Sequence, residues 1–67
     1  SKADFISKVN IALKEANETE YWIMLLKETD YLSEKEYESI IEDCRELIKL
    51  TVSIVKTSKQ NMNGTSK

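Results

Sequence analysis

No proline and no histidine occur in this chain of 67 residues, and glycine and cysteine occur once each, as Gly64 and Cys44. Each absence excludes something. Without proline, nothing forbids long uninterrupted helix, and the one glycine falls in a polar C-terminal stretch. Without histidine, a Cys/His zinc site or a Glu-x-x-His di-metal bundle site cannot be completed. One cysteine cannot close an internal disulfide. There is no glycine-rich phosphate loop and no serine in a nucleophile-elbow setting. No run of eighteen apolar residues exists and no charged-apolar-small leader opens the chain. The expectation is a non-enzymatic cytoplasmic protein without catalytic residue, metal, cofactor, small-molecule substrate or membrane span. The lack of Met at Ser1 suggests processing or origin in a longer chain.

What is present is 40% hydrophobic and 33% charged side chains, the balance of one small folded domain. A single core this small rarely exceeds by more than about 3–5 kcal/mol the ordering entropy of roughly 1.5 kcal/mol per residue, so such chains lean on disulfides, metals or partners. The composition has removed the first two supports. A partner remains.

The apolar residues keep helical time. Phe5, Val9, Ala12, Ala16, Thr19, Ile23 and Leu26 recur at steps of four and three, forming one face. Tyr37, Ile41, Cys44, Ile48, Thr51 and Val55 repeat the pattern, flanked by Ile40, Leu47 and Ile54. Ser1 with Asp4 and Ser33 with Glu36 have the form of capping boxes. Leu32 before the second cap and Tyr37 after it suggest a hydrophobic staple. The segment Thr29-Asp30-Tyr31-Leu32-Ser33 breaks the rhythm, and a connection this short forces antiparallel neighbours. The predicted fold is all-α: a hairpin of helices at about 2–28 and 34–57 forming one domain over 1–57, with a polar, disordered tail over 58–67. The hairpin is expected to associate into a four-helix bundle.

The expected oligomer interface comprises Phe5, Val9, Ala16, Ile23, Ile41, Cys44, Ile48 and Val55, joined by a second apolar set at Ile11, Trp22 and Leu25. Cys44, between Ile41 and Ile48, reads as a small hydrophobe. Glu20 falls on the core side of the first helix, either reaching solvent or pairing with an Arg or Lys of a packing neighbour. Glu38, Glu42 and Glu46 read as a solvated outer face flanked by Arg45 and Lys49.

Charge is unevenly spread. Residues 1–14 and 48–67 carry seven lysines against one acid, giving +6; residues 15–47 carry eleven acids against three bases, giving −8; together they make the net −2. Opposed hairpins would bring unlike ends together. Hairpins with like ends together would instead offer a basic rim to a phosphate backbone, with Lys49, Lys56 and Lys59 as candidate nucleic-acid contacts.

Phe5-Ile6, Ile11-Ala12-Leu13, Glu18-Thr19-Glu20, Tyr31-Leu32-Ser33 and Tyr37 also carry a resemblance. Over about residues 3–55 the chain resembles the second half of the small bacterial four-helix-bundle proteins encoded in intervening sequences of large-subunit ribosomal RNA genes. The resemblance implies a bundle fold with no catalytic residues to carry over. Some members are similar to accessory proteins of diversity-generating retroelements, relatives that form ring-like pentamers and bind nucleic acid. The two apolar faces point to a homodimer, while the resemblance implies a larger ring as the other assembly and weak nucleic-acid association as the alternative function. Glu18 and Glu20 match the family's acidic pair, a packing or pairing feature. Lys14 and Asp30 stand where the family commonly has glycine, and the first helical pair has no counterpart here.

Overall fold

A computed structural model describes residues 1–64, with side chains through Asn61. Two helices make up the fold: α1, Lys2–Glu28, and α2, Glu34–Gly64, packed against each other as an antiparallel hairpin. No strand occurs among the described residues. Helix α2 continues about two turns past its expected end at residue 57. The physical reason lies in the sequence: Ser58, Lys59, Gln60 and Asn61 are polar but none breaks a helix. Residues 65–67 of the expected tail lie outside the described residues.

Local chemistry fixes both ends of the turn. Ser1 accepts a hydrogen bond from the Asp4 backbone N–H at 3.2 Å and so caps α1. The second capping box is fully reciprocal. The Ser33 N–H donates to Glu36 Oε1 at 2.9 Å, and the Glu36 N–H donates to Ser33 Oγ at 3.1 Å. The Ser33 backbone N–H donated to the carboxylate, and next the Ser33 hydroxyl beside it, hold the Glu36 pKa below the ordinary carboxylate value.

At the C-terminus of α1 the chain closes in a Schellman arrangement. The Asp30 N–H donates to the Lys27 carbonyl at 3.1 Å, and the Tyr31 N–H donates to the Leu26 carbonyl at 2.9 Å. The geometry needs a left-handed residue between them, and Asp30 supplies it with φ of 66°. Glycine is the usual occupant of that position because it has no β-carbon to clash. Thr29 adds a side-chain bond to the Leu25 carbonyl at 2.8 Å.

The seam between the helices buries Ile6, Ala16 and Ile23 of α1 against Ile41, Cys44, Thr51 and Val55 of α2. Ile23, Ile41 and Cys44 form the central cluster, with Leu32, Tyr37 and Ile48 packed on it. Both residues of the expected staple thus join one core. Buried Thr51 satisfies its hydroxyl by donating to the Leu47 carbonyl at 2.7 Å.

One expectation about α1 needs correction. The predicted stripe contained Phe5, Ala12, Thr19 and Leu26, and all four are exposed. The helix instead turns Ile6, Val9, Leu13, Ala16, Glu20, Ile23 and Lys27 inward. The two stripes share Val9, Ala16 and Ile23 and differ by one residue at every other rung. Hydrophobicity alone favours the first. The second puts Ile6 and Leu13 in the seam and brings Glu20 and Lys27 within reach of Arg45, Glu34 and Tyr37 on α2.

Candidate interaction surfaces

Two polar clamps hold the sides of the seam. Arg45 Nε donates to Glu20 Oε2 at 2.8 Å, so Glu20 takes the paired alternative, and Arg45 faces α1 rather than flanking a purely solvated stripe. This bond raises the Arg45 pKa. Near the turn, Lys27 Nζ lies 3.2 Å from Glu34 Oε2 and 5.8 Å from the centre of the Tyr37 ring. The sequence reading missed this clamp. Its signal was present as an acid and an aromatic at the start of α2, opposite a lysine at the end of α1.

Cys44 behaves as expected of a core residue. It is buried, and its thiol donates to the Ala16 carbonyl at 3.5 Å. Among the described residues no group of three His, Cys, Asp or Glu side chains is placed to hold a metal ion. No helix among them is long and apolar enough to cross a membrane.

The clamps and the thiol bond divide the hairpin into two unlike broad sides. Cys44 meets Ala16 on one side of the seam, and Arg45 meets Glu20 on the other. Helical spacing places Phe5, Ala12, Thr19 and Leu26 of α1, with Ile40, Leu47, Leu50 and Ile54 of α2, on the Ala16–Cys44 side. A shallow groove lined by Phe5, Ser58 and Asn61 runs between the helices there. The opposite side carries Asn10, Asn17, Glu38, Glu42, Arg45 and Lys49. Phe5 is 51% exposed, Leu26 41%, Ile40 42%, Leu47 54% and Leu50 58%. The Ala16–Cys44 side carries most of the exposed aliphatic residues, with Asp43 and Glu36 among them, while the clamped side also exposes Tyr21 and Met24.

The predicted interface residues therefore divide. Ala16, Ile23, Ile41, Cys44 and Val55 are covered by the chain's own other helix, while Val9 and Ile48 are partly covered. Phe5 lies on the open apolar face. Ile11 and Trp22 are exposed on the back of α1 with half-buried Leu25 nearby on the wheel, and Trp22 packs edge-on against Tyr21 with ring centres 5.3 Å apart. Lys49, Lys56 and Lys59 are exposed along one ridge of α2, on the polar side. The sequence reading had treated Ile40, Leu47 and Ile54 as flank and left out Leu50; their own three-and-four spacing was the available signal.

The hairpin is elongated. Its Cα radius of gyration is 15.5 Å, whereas a compact domain of this length would have about 11 Å. Its accessible surface of 5371 Å² compares with about 4,400 Å² for a compact monomer of the same mass. The class is thus a two-helix module with an uncovered apolar side. Comparison with known proteins supplies the family: residues 1–53 match the 23S rRNA-intervening sequence protein family, and the chain belongs to it. The chain is similar to a solved all-helical structure from Bacteroides thetaiotaomicron, a protein of unknown function from the S23 ribosomal protein family. That similarity has 60% sequence identity and a TM-score of 0.79, covering 82% of this chain and 48% of the other. The chain therefore spans about half the length of that relative. No curated protein matches it.

Proposed function

We propose that this chain is a non-enzymatic assembly module whose hairpin self-associates into a four-helix bundle. The observation that carries the proposal is the row Ile40, Leu47, Leu50 and Ile54 on α2, lying outside the hairpin seam beside Phe5 and Leu26. Apolar area of this kind is stabilised by removal from water at about 25 cal/mol per Å². A contiguous exposed patch of that type marks a contact surface. The cytoplasm is the proposed location.

Sedimentation at several protein concentrations and two salt levels tests the proposal. A dimer persisting in high salt is the expected result, and a fully folded monomer across the micromolar range would refute it.

A second reading is favoured by one feature, the exposed lysine ridge Lys49, Lys56 and Lys59, whose charges have no ion-pair partner among the described residues. It holds that the module associates with nucleic acid. Binding to RNA or DNA that falls steeply with salt and is lost on changing all three lysines to glutamate would support it. Absent or salt-independent binding would refute it.

A further inference from the structure

We infer that the clamped side of the hairpin binds a single strand of nucleic acid, with phosphates over lysines from both helices and a base stacked at Tyr21 and Trp22. The inference rests on the nucleic-acid reading above and adds the face, the strand class and a contribution from α1. The open apolar face lies on the other side and stays free.

Height and rotation place the cations. Glu20 meets Arg45 and Ala16 meets Cys44 across the seam. Counting from these contacts toward the open end at about 1.5 Å per residue sets Lys14 of α1 and Lys49 of α2 at nearly the same height. Lys14 comes four residues after Asn10 and three before Asn17, and it lines one groove with both, so it shares their side of the hairpin. Lys56 and Lys59 continue the ridge of Lys49 over about 15 Å toward the open end. All four lysines are exposed, and none has an ion-pair partner among the described residues. Glu38 and Glu42 share this side only beyond Arg45, toward the turn. The side therefore changes sign near the Glu20–Arg45 clamp, acidic toward the turn and basic toward the open end. Lys8, also in the basic half, falls on the opposite side in the row of Ala12 and Thr19.

The groove supplies the second element. It encloses about 690 Å³ and is lined by Asn10, Lys14, Asn17, Glu18, Tyr21 and Trp22 among others. Tyr21 and Trp22 are 60% and 57% exposed, with ring centres 5.3 Å apart and planes inclined at 72°. Tyr21 lies about 10 Å along α1 from Lys14. Two large rings left in water at the end of a row of lysines form a stacking platform for a base whose backbone runs over the cations. Only a single strand can offer that base face, because in a duplex each base is stacked between its neighbours. Glu18 repels a phosphate from the groove, so the groove takes the base and the lysines take the backbone.

Anisotropy titrations of the full chain with labelled oligouridylate, oligodeoxythymidylate and a blunt RNA duplex test the site. Both single strands should bind at least about fivefold tighter than the duplex and should quench the fluorescence of Trp22, the only tryptophan. The slope of log K against log salt should be about −3, from four lysines at about −0.7 each. Lys14→Glu should weaken binding at least about fivefold, as should Lys49→Glu, whereas Lys8→Glu, an equal change of charge on the other side, should leave it within about twofold. Tyr21→Ala should weaken binding at least about fivefold at an unchanged salt slope. All these positions are exposed, and circular dichroism checks that the helices persist. Equal losses from Lys8→Glu and Lys14→Glu, or a duplex that binds as tightly as the strands with no quenching of Trp22, overturn the site while nucleic-acid association stands. No binding of strand or duplex overturns that association itself.

Discussion

Replacing Asp30 by glycine should stabilise the hairpin although it deletes a side chain and adds no contact. Asp30 holds φ at 66° so that its own N–H and that of Tyr31 can reach the Lys27 and Leu26 carbonyls. A β-carbon in that region costs about 1–2 kcal/mol for an ordinary L-residue, somewhat less for aspartate. Glycine removes this cost but loses about 0.5–1 kcal/mol more backbone entropy on folding. A carboxylate beside the last carbonyls of α1 also opposes the helix dipole, which adds a few tenths of a kcal/mol to the benefit of its removal. The expected net gain is about 0.5–1 kcal/mol. With a urea m-value of about 1 kcal/mol/M, the midpoint should rise by about 0.5–1 M at unchanged slope. The assay needs one fixed protein concentration, because association adds to apparent stability. Asp30→Asn separates charge from conformation: a rise smaller than glycine's is expected. Asp30→Ala keeps the β-carbon, loses the polar group and should lower the midpoint. An unchanged or lowered midpoint for Asp30→Gly would refute the assignment of strain to this residue.

Ile41→Ala, at the centre of the seam where only 5% of Ile41 is exposed, should cost about 2–4 kcal/mol, read as loss of helical circular dichroism at a lower urea concentration. Glu36 should titrate below an ordinary carboxylate by NMR and rise only part of the way back in Ser33→Ala, which removes the hydroxyl but keeps the backbone N–H that is the larger cause. Because its folded pKa is depressed, its stabilising contribution is complete above the unfolded value near 4.5 and disappears as pH falls through the folded value. Acid should therefore fray the start of α2 before high pH does. The Cys44 thiol should react with an aromatic disulfide reagent only as fast as the hairpin opens, so its rate should track urea-induced unfolding. Leu47→Glu should weaken self-association at least tenfold in sedimentation while leaving helicity at high concentration intact, since the change lies on the open face.

Much of this architecture is written locally. The cap residues Ser1 and Ser33, the missing proline and the three-and-four spacing specify two helices and a short turn, because each signal acts within a few residues of itself. The seam on α1 was not legible in the same way. Glu20 and Lys27 look like surface residues until Arg45, Glu34 and Tyr37 are known to stand across from them, and that knowledge requires the relative height of the two helices. Hydropathy selected Phe5, Ala12, Thr19 and Leu26, which have the right spacing and the wrong rotation. The error placed the open face in the hairpin core and so hid the surface of most functional interest. The extent of α2 was not legible for a related reason: polarity alone does not stop a helix, so Ser58–Asn61 continue it.

The rotation of α1 has a consequence for how such a module chooses partners. Had Phe5 and Leu26 faced α2, the hairpin would have a more apolar seam, and only α2 would contribute large apolar side chains to the open face. By placing Glu20 and Lys27 in the seam, the sequence accepts clamps of modest strength between its own helices, since exposed ion pairs contribute little. In return it presents a row of large apolar side chains to something outside. Exchanging the two sets, with Glu20→Leu and Lys27→Leu alongside Phe5→Lys and Leu26→Glu, should therefore yield a hairpin that stays folded at low concentration and self-associates at least tenfold more weakly. A variant that still forms dimers of the same affinity would show that association uses another surface, and the Ile11, Trp22 and Leu25 group on the back of α1 would be the next to alter.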